Sequence, residues 1–211
     1  MWNPEVISAV HPAVILRYAA TAADAIIEQR AKGGWKKLRL QHINTGEANL
    51  AYTSLGSGSA GADFVTAIGF DLPKDLTFMA AELGFAAQSS LVVWHRGGGA
   101  SKATKAAAVT LKKCAKADFQ LAYVTAAAGG GVTLLGEEGK IVPHSAMRFS
   151  GLKQGAGSAS VGVAGVKGEV VAVSFFVEKA GAGGGVVSVE CHFASSATMV
   201  AAHSASGNSC K

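Results

Sequence analysis

Charge is scarce in this chain. Only 16% of its 211 residues are Asp, Glu, Lys or Arg, while 49% are hydrophobic. Intrinsic disorder is therefore disfavoured, since disordered chains pair low hydrophobicity with high charge. Cysteine is also rare. Three cysteines (Cys114, Cys191 and Cys210) cannot close a disulfide framework, and their spacing matches no zinc pattern. Three free thiols is the simpler reading, and Cys191 with Cys210 is the one pair that could be bridged. No long apolar run is present either. A spanning helix needs about 20 predominantly apolar residues. The best uncharged run, "FQLAYVTAAAGGGVTLLG" (119–136), carries Gln120 and three consecutive glycines. It reads as strand, turn, strand. The first residues, "MWNPEVIS", show no basic region followed by an apolar core, so no secretory signal is visible and secretion is left open.

Acids are missing from one long interval. Between Glu82 and Asp118 the charges are Arg96, Lys102, Lys105, Lys112, Lys113 and Lys116, all positive. Such a block attracts the phosphates of lipid or nucleic acid. Few aromatics accompany these lysines, which disfavours base stacking and hence nucleic acid as the partner.

What is present sorts into two periodicities. Residues 12–32, "PAVILRYAATAADAIIEQRAK", predict an amphipathic helix. Pro12 suits a first helical position, and Arg17, Thr21, Asp24 and Glu28 draw one polar stripe on an otherwise apolar cylinder. "KGGWKK" (32–37) would end it at Gly33 and Gly34. From there the pattern alternates. "KLRLQHINT", "ANLAYTS", "ADFVTAIGFDL", "SSLVVWH", "SASVGVAGV", "EVVAVSFFVE" and "GGVVSVECHF" are short, rich in β-branched residues and bounded by Gly or Ser. That is the signature of an antiparallel β-sandwich or barrel.

An internal repeat supports the same class. A shift of 71 residues lays Leu38, Leu40, Leu50, Ala51 and Tyr52 over Val109, Leu111, Leu121, Ala122 and Tyr123. On that reading "AVTLKKC" is a strand, although the composition of 101–117 favours a helix. The expected organisation is a helix and linker over 1–35, one β-sandwich over 36–195 built from two related modules (36–100 and 101–195), and a polar tail over 196–211. The fold class is thus mainly β, an antiparallel sandwich with one N-terminal helix.

Motifs for chemistry are sparse. "GSGSAG" (56–61) fits G-x-G-x-x-G, but a dinucleotide site needs a helix to open there and a strand pattern follows. No Cys-x-x-Cys, zinc-spaced His pair or nucleophile elbow occurs. His95 and His192 stand alone at strand ends. No catalytic residue, metal or cofactor is expected, and the chain is read as a non-enzyme. Trp35 with Lys36 and Lys37, and Trp94 beside Arg96, form the candidate membrane-binding set. Amphipathic rings next to basic side chains prefer the headgroup level of a bilayer.

The stretch "GKIVPHSAMRFSGLKQGAGSASVGVAGV" followed by "EVVAVSFFVEKAGAGGGVVSVECHF" resembles part of the actinoporin-like cytolysin and lectin superfamily. Val142, Pro143, His144, Phe149, Gly151, Lys153, Val161, Val163, Val171, Val173, Phe175 and Val177 stand in comparable places. The resemblance covers 139–193 and, in kind, the N-terminal helix. It implies a compact sandwich whose helix detaches and inserts into a bilayer after oligomerisation. Where the family carries a Ser-, Pro- and aromatic-rich headgroup-binding stretch, this chain has Phe176, Glu178 and "KAGAGGG", so no binding residue is carried over. Three functions are expected in order: a pore-forming or lipid-binding protein, a self-assembling capsid- or filament-like subunit, and a carbohydrate-binding β-domain. The partners that follow are a membrane or anionic surface and further copies of the chain.

Overall fold

A computed structural model describes residues 14–17, 24–31, 34–41, 47–55, 62–70, 72–80, 83, 85, 90–95, 102–104, 108–115, 118–137, 140, 143–145, 147–179 and 183–211. Side chains are described from Phe64 onward, apart from Phe70 and residues 102–104. Every regular element among these residues is a β-strand.

Three antiparallel strands come first. β1 (Val14–Arg17) pairs with β2 (Asp24–Ala31), and β2 pairs with β3 (Gly34–Gln41). Of the stretch expected to be helical, residues 12–13, 18–23 and 32 lie outside the described set, and the backbone of the rest runs as β1 and β2. The β-branched residues Val14, Ile15, Ile26 and Ile27 suit that extended pairing.

A five-stranded sheet follows, in the spatial order β4 (Glu47–Leu55), β5 (Ala62–Phe70), β10 (Phe119–Ala126), β7 (Leu91–His95), β8 (Lys102–Thr104). A ribbon of β6 (Leu76–Met79) and β9 (Ala108–Leu111) lies against one face. Successive side chains of a strand point to opposite faces, and this sheet uses both. Val65 and Ala67, Leu91 and Val93, and Ala122 and Val124 pack on Phe78, Val109 and Leu111 of the ribbon. Ile68, Leu121 and Tyr123 form a separate cluster with Trp94. Val92 and Trp94 meet Leu135 and Phe176 from the C-terminal half.

That half is sandwich-like. A sheet of β11 (Val132–Glu137), β14 (Val170–Val177) and β15 (Gly185–His192) packs on a sheet of β12 (Phe149–Gly155), β13 (Ser158–Gly165), β16 (Ala197–Ser204) and β17 (Gly207–Cys210). Val132, Leu134, Val171, Val173 and Phe175 from the first sheet meet Phe149, Leu152, Val161, Val163 and Ala201 from the second. Fully burying each large apolar side chain here contributes about 1.5–3 kcal/mol. The layers therefore run ribbon, five-stranded sheet, three-stranded sheet, four-stranded sheet.

The strand reading of "AVTLKKC" holds, since Ala108–Leu111 is β9. The repeated Leu-Ala-Tyr triplets occupy β4 and β10, the two strands that flank β5. Ala51 and Tyr123 each stand opposite Thr66. Residues 197–210 are the paired strands β16 and β17 rather than a polar tail. Small and polar residues conceal that role, because Ala201 is the one fully buried position in "ATMVAAHS". Cys191 and Cys210 are joined in a disulfide, which ties β15 to β17 and so links the two sheets of the sandwich. Cys114 stays a free thiol.

Candidate functional site

The residues singled out as membrane anchors do not form one described patch. Trp35, Lys36 and Lys37 lie on β3, whose side chains are outside the described set, and Arg96 is outside it altogether. Trp94 is half-buried. Its ring sits 5.5 Å from that of Tyr123, tilted by 53°, in the seam between the five-stranded sheet and the sandwich. The Tyr123 hydroxyl donates to the Lys140 carbonyl at 2.8 Å. Part of the basic block is neutralised locally. Lys112 Nζ lies 2.8 Å from an Asp75 carboxylate oxygen, and the Lys113 amide donates to the other oxygen at 2.9 Å. These bonds, led by that from Lys112, hold the Asp75 carboxyl below its ordinary pKa.

The glycine motif at 56–61 leads into β5. Leu55 and Ala62 are paired across β4 and β5, so the motif joins hairpin strands and no helix follows it. Among the described residues no group of three or more His, Cys, Asp or Glu could hold a metal ion. His192 lies on the exposed face of β15 beside Glu190, with Nε2 3.3 Å from the carboxylate. His203 shares a hydrogen bond of 2.6 Å with Asn208 across β16 and β17. No described helix is long and apolar enough to cross a membrane, which says nothing of strands.

Electrostatic organisation concentrates at Arg148, just before β12. Its Nε donates to Glu137 at 3.0 Å and its Nη1 to Glu169 at 2.9 Å, while Lys140 approaches Glu137 at 3.4 Å. The same guanidinium donates to the Ala164 carbonyl. One side chain thus bridges β11 to the β13–β14 turn. The bond from Arg148 lowers the pKa of Glu169, and the bond to Glu169 raises that of Arg148. Arg148→Ala leaves the mostly buried Glu137 carboxylate with Lys140 alone. A loss of about 2 kcal/mol is expected, read as a lower urea midpoint at unchanged m-value.

Sequence reasoning passed over two features. The first is the outward face of the four-stranded sheet. Ser158, Ser160, Gly162 and Ala164 of β13 lie beside Thr198, Val200, Ala202 and Ser204 of β16, with Gly162 facing Val200 and Ser160 facing Ala202. All eight are at least partly exposed, and none is charged. A Cβ placed on Gly162 would stand 2.9 Å from Ser150 Oγ and 3.4 Å from Thr198 Cγ2, which puts the three strands' short side chains on one surface. Lys153 stands opposite Ser160 on β12, and Lys211 stands opposite Val200 just past β17, both exposed. The alternation in "SASVGVAG" was the available signal, and it served only to mark a strand. The second is His144, which is 1% exposed and stacks on Phe64 of β5 with ring centroids 3.8 Å apart.

The residues that carried the likeness to the cytolysins now have a physical role: Phe149, Val161, Val163, Val171, Val173 and Phe175 are core positions of the sandwich. The chain matches no protein-family model, no curated protein and no solved structure.

Proposed function

We propose that this chain is a non-enzymatic structural subunit that associates with further copies of itself through the outward face of β12, β13, β16 and β17. The observation that carries the reading is the chemistry of that face. The outward positions of a solvated sheet normally hold charged or long polar side chains, which also guard against sheet-to-sheet association. Here the two central strands carry Ser, Gly, Ala, Thr and Val, and Val200, between Gly162 and Lys211, is 49% exposed. Short side chains let a second sheet approach closely, and the uncharged strip of β13 and β16, with a lysine on either side of it, meets little desolvation cost on being covered. The Cys191–Cys210 bridge suits a protein that works in an oxidising compartment.

The lipid-binding reading draws on Trp35, Lys36, Lys37 and Arg96, whose side chains are outside the described set, and on Trp94, whose ring is engaged with Tyr123. The assembly reading rests on described side chains alone.

Size-exclusion chromatography with light scattering separates the two. The oxidised wild-type chain is expected to associate as concentration rises, and Val200→Lys to shift it at least several-fold toward monomer. Val200 projects into solvent, so the lysine leaves the core intact. Vesicles with anionic lipid form the second arm. A monomer at all concentrations that nevertheless co-sediments with vesicles would replace the assembly reading with the membrane one.

A further inference from the structure

Both ring nitrogens of His144 are buried, and neither has a hydrogen-bond partner of good geometry among the described residues. An unpartnered buried polar group costs free energy, so a histidine held this way needs a reason. Its surroundings are specific. Phe64 reaches from β5 of the five-stranded sheet into the core of the sandwich, and the His144 ring lies flat on it, 17° from parallel. From β11, Gly136 comes so close that a Cβ there would stand 2.9 Å from His144 Cδ2. The Glu137 amide fixes the loop by donating to the Pro143 carbonyl at 2.9 Å. The imidazole therefore sits where the five-stranded sheet meets the sandwich.

We propose that His144 is an acid-sensitive latch, which holds the five-stranded sheet on the sandwich while its ring is neutral and releases it when the ring takes a proton.

Among the described residues no carboxylate bonds to either ring nitrogen. β5 contributes Phe64, which stands between Val65 and Asp63, an acid whose side chain is outside the described set, and Thr125 of β10 stands opposite Phe64. β11 brings Gly136 and the Leu135 backbone to the ring, and the charged groups nearest in the chain are Glu137, Lys140 and Arg148. Glu137, Lys140, Arg148 and Glu169 are bonded to one another. Burial pushes the imidazole pKa down from 6.5 to about 3, and the nearby Leu135 backbone offsets this only in part.

The direction of the effect follows from linkage. Above pH 6.5 the ring is neutral in both the closed and the open form, and the latch is indifferent to pH. Below 6.5 the open form binds a proton that the closed form refuses until about pH 3. Acid therefore favours opening throughout that window, and one proton changes the equilibrium about tenfold per pH unit.

Two measurements on the full oxidised chain decide the matter. The first is urea unfolding of wild type and His144→Gln between pH 7.5 and 4.5. The wild-type folding constant should fall relative to the variant by about tenfold per pH unit below 6.5. Parallel profiles would overturn the proposal. The second needs no variant. Deuterium exchange at the imidazole C2 position, followed by mass spectrometry, should be at least about tenfold slower at His144 than at the exposed His192 at pH 7.5, and should accelerate relative to His192 as the pH is lowered. Equal exchange at the two rings at pH 7.5, or a ratio independent of pH, would contradict the latch even if His144→Gln fails to fold.

Discussion

Gly136→Ala is expected to destabilise the protein by about 4 kcal/mol, from backbone strain and overpacking together. Gly136 has φ = +99°, a region that residues with a side chain rarely adopt. It also sits at a register shift in the β11–β14 ladder, where the strand bends toward the Pro143–His144 loop. An added Cβ would lie 2.3 Å from the Pro143 carbonyl oxygen and 2.8 Å from the carbonyl carbon, and backbone cannot swing aside as a flexible side chain can. Relief requires the loop to retreat, which would pull His144 off Phe64. Thermal unfolding should thus begin far below the wild-type midpoint. Gly151→Ala is the contrasting case. Its φ of +59° is also positive, but nothing lies within 4 Å of its added Cβ, so only the conformational strain of about 1–2 kcal/mol remains.

Loss of the Cys191–Cys210 bridge is expected to cost about 3 kcal/mol, the loop-closure value for a loop of this length. The two cysteines are 19 residues apart, with Cα atoms 5.3 Å from each other. Cys191 is completely buried in the sandwich core, so in the folded chain reductant can approach the bridge only from the half-buried Cys210. Two results follow. Cys191→Ser with Cys210→Ser should unfold at a clearly lower urea concentration than the oxidised wild type. Mild reductant should leave the folded wild type intact for far longer than the same protein in denaturant. Reduction as fast in the folded chain as in denaturant would contradict that shielding.

Much of the β architecture was legible because it is written in alternation. "EVVAVSFFVE" and "SASVGVAGV" place Val and Phe at every second residue, and those residues are the sandwich core. The Leu-Ala-Tyr repeat was informative about equivalence: the two triplets occupy the strands on either side of β5. It did not disclose that β10, which follows the expected module boundary at residue 100, pairs with both β5 and β7. Pairing between distant strands is set by packing, which a local pattern does not encode. The C-terminal strands were missed for a different reason. "ATMVAAHS" and "GNSC" are small and polar, and β16 is held by its pairing with β13 and β17 more than by apolar alternation. The disulfide was one of two readings, since spacing alone cannot bring β15 and β17 together.

The candidate face escaped for a related reason. A surface defined by missing charges across three or four strands is visible only once Gly162 is seen beside Val200 and Ser150. His144 likewise reads as part of a turn after Pro143, and nothing local reveals that Phe64, 80 residues earlier, covers its ring.

The most direct test of the assembly account is side-chain footprinting of the oxidised wild-type chain, at dilution and at the concentration where it associates. Labelling of Thr198, Val200 and Ser204 should fall several-fold in the concentrated sample. Met79, 53% exposed on the ribbon at the other end of the layers, should label equally in both. Protection confined to 197–204 and its β13 neighbours is the predicted outcome. Unchanged labelling of that face in an associated sample, or a chain that stays monomeric throughout, would contradict it.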